Sequence, residues 1–325
     1  VRTVLIAAAV CAALLVSAVA VSPALREQMA AFLGDFSDYV QPVEPSSDTW
    51  DGIRLTAVSA MMDDHVLNVY VEAKDLEGDR LAPMATAEEH IAVADTNLTR
   101  EEPSSYTSAC RCISYDTTTS TALLEFALQG DYSGVTDTLE FNLYVDELYP
   151  EGWLSWRFDD GPIITNPDQN EDTNWTTWTL PLTVERLEVD TYQLDQTIDG
   201  TTQLLTLELS AASATLKYTV PEEDRKSSPA DDTNITLYLS DGSTVQGTCS
   251  RRSGIPNNWV LEETKHYVHG YLDGETEYTT WTAPYQFEEP LDIKDVVAIH
   301  IQHWYIPLNT DGTTGEAQWG ARPQS

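Results

Sequence analysis

From Trp50 onward the chain alternates apolar and polar residues with a period of two, in short runs broken by Gly, Asp and Asn. Ile53, Leu55 and Ala57 alternate with Arg54 and Thr56, and Val66–Ala73 follows a turn at Met62–His65 with Asp64 and His65 at its tip. Side chains on a strand point alternately to opposite faces, so two such runs around a tight turn predict a hairpin. Further strands are expected at Tyr106–Tyr115, Ala122–Leu128, Thr138–Leu148 and Trp175–Val184. Pro181 interrupts the last of these, which predicts an edge, a bulge or a change of sheet, because proline has no N–H for the ladder. The polar segment Leu81–Pro103 contains a short helix-like stretch around Thr86–Val93.

A second series begins after Thr183–Arg186. It comprises Tyr192–Leu194, Gln203–Leu209, Thr215–Thr219, Ile235–Ser240, Thr244–Cys249, Lys265–Tyr271 and Val296–Ile306, the last led in by a helix-or-turn segment at Leu291–Asp295. Asp241-Gly242-Ser243 is a strong hairpin turn signal. Short strands at this spacing predict an all-β fold of two consecutive immunoglobulin-like β-sandwich domains, 50–184 and 185–325. About 275 residues of body are enough for two domains with their own cores.

The pattern before Trp50 is different. Val4–Val21 (VLIAAAVCAALLVSAVAV) has Ser17 as its polar residue. At ~1.5 Å per residue such a run approaches the roughly 20 residues needed to cross a hydrocarbon core. Residues 1–22 are therefore expected to be one N-terminal transmembrane anchor. A cleavable export signal, with Ser17, Ala18 and Ala20 before Val21, is the competing reading. Residues 23–49 are expected to be a juxtamembrane helix and a linker. Leu25, Met29, Phe32, Leu33, Phe36 and Tyr39 fall at helical spacing, and Gln41–Asp48 (QPVEPSSD) is rich in Pro and Ser.

Charge then bears on partners. The chain has 53 Asp and Glu against 17 Lys and Arg, a net charge of −36. Such a body repels polyanions, which argues against nucleic acid as a partner. Long exported domains cross a membrane largely regardless of charge. The expected location is therefore the cell membrane, single-pass, with the C-terminal body extracytoplasmic.

Three stretches carry a family resemblance. They are Phe32–Tyr39 after the span, Asp51–Val58 (DGIRLTAV) with Val69–Arg80 (VYVEAKDLEGDR), and the closing Phe287–Ile306. Together they resemble the extracytoplasmic region of a poorly characterised family of membrane-anchored Gram-positive bacterial proteins. Some of that family are associated with extracytoplasmic-function sigma-factor systems. The resemblance implies a cytoplasmic sigma-binding or zinc-binding segment before the span, here before Val1, through which a sigma factor would be contacted. It implies no catalytic residues.

Candidate chemistry is sparse. Cys110 and Cys112 share a strand face and with Cys249 and a histidine would approach a zinc set. However, His300 and His303, like His266 and His269, are three apart and fall on opposite faces. A disulfide from Cys249 to Cys110 or Cys112 and unpaired thiols are the alternatives. Asp159-Asp160-Gly161 and Asp168–Asp172 resemble calcium loops in composition without the ligand spacing. Trp153, Trp156, Trp175 and Trp178 are positioned either to stack on sugars or to plug a sandwich end. No Gly-x-Ser-x-Gly, His-Glu-x-x-His or Gly-rich phosphate loop occurs.

The expectation is a non-enzymatic, membrane-tethered module with no catalytic, cofactor or metal residues. Its partners are the membrane through Val4–Val21, an extracellular protein or glycan, and a sigma factor. As a function this reads as a sensor or regulatory ectodomain of an envelope-signalling, anti-sigma-like protein. The alternatives are a cell-surface adhesin or carbohydrate-binding module and, further off, an envelope hydrolase.

Overall fold

The computed structural model describes residues 23–87, 91–97, 107–129, 132, 138–152, 163–165, 177–221, 234–248, 261–270, 274–287 and 290–320. The chain divides into two compact units, Val1–Leu187 and Glu188–Ser325. Among the described residues both are all-β apart from one short α-helix and a few 3₁₀ turns. Among the described residues no helix is long and apolar enough to cross a membrane, and Val4–Val21 lies outside them.

In the first unit, helix α1 (Pro23–Leu33) runs into a 3₁₀ turn at Gly34–Asp38. Gly34 has a φ of 53°, the left-handed conformation that glycine adopts without steric cost and that ends the α-helix. Nine strands follow: β1 (Gln41–Pro42), β2 (Ser47–Trp50), β3 (Ile53–Met62), β4 (Val66–Asp75), β5 (Ala92–Thr96), β6 (Thr107–Asp116), β7 (Thr121–Gln129), β8 (Thr138–Leu148) and β9 (Trp178–Glu185). One sheet has six strands in the order β1-β3-β4-β7-β6, with β2 also on β3, and the other has three in the order β5-β8-β9.

Alternation decides which residues lie between the sheets. Ile53, Leu55, Val69, Val71, Leu124 and Phe126 from the larger sheet pack with Leu143, Val145, Trp178 and Leu180 from the smaller. Each large apolar side chain buried in this way is worth about 1.5–3 kcal/mol. Trp178 is fully buried, and its indole N–H donates to the Ile53 carbonyl at 3.0 Å, which ties the two sheets together. Pro181 is tolerated because β9 is an edge strand.

The structure corrects two local expectations here. Gln41–Asp48 is not a linker, since β1 and β2 pair with β3 through Gln41↔Ala60 and Ser47↔Thr56. Polar side chains from this stretch clasp the opposite sheet. The Glu185 N–H donates to Gln41 Oε1 (2.8 Å) and the Thr179 N–H to Asp48 Oδ2 (2.9 Å). Composition suggested a tether, but Gln and Asp side chains here complete backbone hydrogen bonds at a sheet edge. Likewise, the stretch expected as a helix around Thr86–Val93 leads instead into β5, after a 3₁₀ turn at Ala82–Ala85.

The second unit contains β10 (Asp190–Ile198), β11 (Thr202–Leu209), β12 (Ser213–Pro221), β13 (Asn234–Leu239), β14 (Thr244–Thr248), β15 (Leu261–Gly270), β16 (Gly274–Phe287), β17 (Val296–Ile301), β18 (Trp304–Pro307) and β19 (Gln318–Trp319). They form a single ten-stranded sheet in the order β10-β11-β12-β16-β14-β13-β17-β18-β19, with β15 also on β16. Strand β16 is long enough to pair with β15 and β14 in succession along one edge and with β12 along the other.

The sheet rolls until its ends meet. Gln196 on β10 donates to Thr314 Oγ1 (3.0 Å) and the Gly315 carbonyl (2.7 Å), and accepts from the Ala317 N–H (2.5 Å). Leu207, Leu216, Tyr218, Leu237, Tyr285, Ile299 and Ile306 are buried within the roll. At Gly247 a Cβ would come within 2.8 Å of Ile235 Cγ1 and 3.1 Å of Tyr285 Cβ, so a glycine is needed where β14 crosses this core. The strand expected over Val296–Ile306 is two strands. Gln302, with a φ of 54°, turns the chain between the paired Ile301 and Trp304.

Candidate functional site

The first candidate is the outer face of the six-stranded sheet beneath α1. Register aligns Ser59, Tyr70, Glu125 and Arg111 in one row across β3, β4, β7 and β6. Thr56 and Glu72 pair in the next row. Met29, Leu33 and Phe36 bury the apolar side of the helical segment against this face. The Ser59 hydroxyl donates to Met29 Sδ at 3.6 Å, and the Arg111 guanidinium lies 4.8 Å from the Phe32 ring centroid. A cation over an aromatic face is attracted by the ring quadrupole, so Arg111 joins helix to sheet.

The polar groups of this face are largely paired with one another. Tyr70 donates to Glu125 Oε1 (3.2 Å) and Arg111 Nε to Glu125 Oε2 (2.5 Å), so both carboxylate oxygens are occupied. Burial pushes the Glu72 carboxyl above its ordinary value, against the opposing pull of the Arg54 and Lys74 charges. Arg54 Nε and Asn68 Oδ1 are buried without a hydrogen bond among the described residues. This is a covered electrostatic joint between helix and sheet. What it can do is hold or release α1.

The stretches Asp51–Val58 and Val69–Arg80 meet at one loop. Asp75 is buried and accepts from the backbone N–H groups of Glu77, Gly78 and Arg80 and from Arg80 Nε and Nη2. Arg80 also donates to Asp51 Oδ2 (2.8 Å) and to the Asp51 carbonyl (2.6 Å). The Arg80 hydrogen bonds hold the Asp75 carboxyl far below the usual carboxylate range. These motifs shape a loop. At the hairpin tip, Asp64 pairs with Arg186 at 2.5 Å and His65 is buried.

The remaining sequence candidates separate. Cys110 and Cys112 are free thiols, both turned towards the core. Burial raises the Cys110 thiol well above its ordinary value and pushes that of Cys112 up to about 11. Cys249, Trp153, Trp156, Trp175, Asp159-Asp160-Gly161 and Asp168–Asp172 lie outside the described residues, as do the side chains of His266 and His269. No His, Cys, Asp and Glu group suited to a metal occurs among the described residues. Of the two readings of Trp178, sugar stacking and filling the sandwich, burial in the core excludes the first.

A second cluster has no signal in the hydropathy pattern, in which Trp304 falls within one continuous strand. His303, Trp304 and Trp319 gather at the turn between β17 and β18, where Trp304 and Trp319 are cross-strand partners. Their rings lie 5.3 Å apart at 85°, with the His303 ring 5.1 Å from Trp319. Trp304 Nε1 donates to Asp199 Oδ1 at 3.1 Å, whereas Trp319 is 66% exposed.

Neither a protein-family model nor a curated protein matches the chain. Among solved structures it is similar to the crystal structure of the conserved domain protein from Bacillus anthracis. The identity is 12% and the TM-score 0.48, over 86% of this chain and 82% of that one.

Proposed function

We propose that the chain is a membrane-tethered, extracytoplasmic, non-enzymatic module, the sensor or regulatory ectodomain of an envelope-signalling, anti-sigma-like protein. In this reading Val4–Val21 is the anchor, the body is two all-β units, the first a two-sheet sandwich and the second a single rolled sheet, and the signalling partner is a sigma factor. One observation carries it. Helix α1 begins directly after the apolar run and is docked on the sheet through Met29, Leu33, Phe36 and the Phe32–Arg111 contact. A docked helix couples the body to the span more stiffly than a loose tether, so a ligand that strains the sheet can move the anchor.

The test is protease treatment of Gram-positive protoplasts carrying the full chain. External protease is expected to degrade the body while a cytoplasmic marker survives. A body protected until the membrane is lysed refutes the reading. The adhesin or carbohydrate-binding alternative is favoured by a separate observation, the exposed rings of the second unit.

A further inference from the structure

We infer that the second unit binds a neutral hydroxyl-rich ring, a pyranose of an uncharged glycan, at a corner built by Trp319, Trp304, His303 and Asp199. The inference is independent of membrane tethering and of signalling. It rests first on where Trp319 is. An indole can bury ~150–250 Å²; a lone exposed ring is ordinary, whereas a cluster of rings left in water marks a contact surface. Trp319 is 66% exposed, on a two-residue strand whose partner is Trp304.

The surrounding rings give the patch a shape. The Trp304 ring stands at 85° to that of Trp319, 5.3 Å away, so the two indoles form a wall and a floor. Trp304 does not have to be ordered on binding, because its N–H is already held by Asp199 Oδ1 at 3.1 Å. A preorganised aromatic wall lowers the entropy lost on association. His303 flanks Trp319 at 5.1 Å, and the Gly320 N–H donates to the His303 carbonyl at 2.7 Å, which fixes the turn beneath.

The chemistry of the rim selects the ligand. The C–H face of a pyranose is apolar and carries a slight positive charge, which suits the negative face of an indole. Its hydroxyls need acceptors around that face. Asp199, which accepts from the Trp304 N–H, is an exposed carboxylate, as is Glu316 three residues before Trp319 in the sequence, and a carboxylate only accepts. The same carboxylates, with a net charge of −36, repel phosphate- or carboxylate-bearing glycans. A protein partner would need roughly 800 Å² on its side, more than three rings present.

The test uses the full chain, purified in a detergent with no sugar headgroup, titrated calorimetrically with cellohexaose, xylohexaose, mannohexaose and chitohexaose. At least one is expected to bind, and Trp319→Ala is expected to weaken it by about tenfold or more, the effect of removing an anchoring aromatic. Trp319→Phe should keep most of the affinity, and Asp199→Ala, which removes the acceptor of the Trp304 N–H, should lose part of it by freeing the Trp304 ring. Because Trp319 is exposed, the melting temperature of Trp319→Ala should match the parent, so lost binding is not lost folding. The inference is overturned if none of the four sugars gives heat, or if Trp319→Ala binds as the parent does. It is also overturned if Trp319→Ala changes the sedimenting mass instead of sugar affinity, which would make the patch a self-association surface.

Discussion

Replacing Asp75 by Asn removes one charge and one acceptor from a loop whose side-chain geometry leaves no substitute. The Asp75 side chain is 0% exposed, and its two oxygens take three backbone N–H donors and two from Arg80, at 2.8–3.1 Å. An amide can turn only one oxygen towards these donors. Its NH₂ group must then face either the Arg80 N–H and Nε or the Glu77, Gly78 and Arg80 Nη2 donors. Hydrogen bonds to a charged group are worth about 1.5–3 kcal/mol each. Arg80 is 36% exposed and keeps some hydration, so the low end applies. The loss should therefore total about 3 kcal/mol, and for a unit of this size that lowers the melting temperature by about 6–12 °C.

Calorimetry at pH 7, in which the transition of the Val1–Leu187 unit is followed, measures this shift. The acid limb gives an independent check. The folded carboxyl titrates far below its ordinary value of 3.8, so its contribution is complete above that pH and is lost as the pH falls below it. Parent and Asp75→Asn should therefore converge on acidification below pH 3.8. A shift of less than about 1 °C at pH 7, or parallel acid limbs, refutes the assignment of Asp75 as the anion that organises this loop.

Four further outcomes follow from the geometry. Glu72→Gln should stabilise the fold at pH 7, because burial raises the folded carboxyl above 4.5, so its contribution is present below that value and lost as pH rises through the folded value; urea midpoints at pH 7 and pH 4 should differ between parent and variant only at the higher pH. Trp178→Phe should cost about 2 kcal/mol by orphaning the Ile53 carbonyl and leaving a void, read as a lower urea midpoint with unchanged slope. Met29→Asp should release α1, seen as faster amide exchange confined to residues 23–38 while β3 and β4 stay protected. Cys110 should resist alkylation at pH 8 in the native protein and label fully in urea, as judged by peptide mass spectrometry, since its thiol is buried and its thiolate disfavoured.

The docking of α1 on the sheet is itself specific in its chemistry. The joint combines an apolar seam, Met29, Leu33 and Phe36, with one arginine shared between an aromatic ring and a buried carboxylate. Apolar seams tolerate small slips, whereas the Arg111–Glu125 pair has one good geometry. Loss of that pair would leave Glu125 buried and uncompensated, which is costly.

What the sequence determined by itself was the local periodicity. Strands β3, β4, β6, β7, β8, β10 and β11 lie within a few residues of where alternation predicts them, because one buried and one solvated face impose a period of two. Pro181 narrowed β9 to an edge, a bulge or a change of sheet, and the structure makes it an edge. Three things belonged to tertiary structure alone. Gln41–Asp48 reads as a tether from its Pro and Ser content, but long-range clasps to Thr179 and Glu185 make it part of the sheet. Strand β16 is rich in threonine and carries Pro284, so its hydropathy is flat; only pairing with β12, β14 and β15 holds it. The corner of His303, Trp304 and Trp319 needs the turn at Gln302, a left-handed residue that is neither Gly nor Asn, and the rolling of the sheet that brings Asp199 to Trp304. Alternation is a property of neighbours in sequence. Which edges meet, and which rings are left facing water, depends on contacts between residues a hundred positions apart, and those contacts leave no period to read.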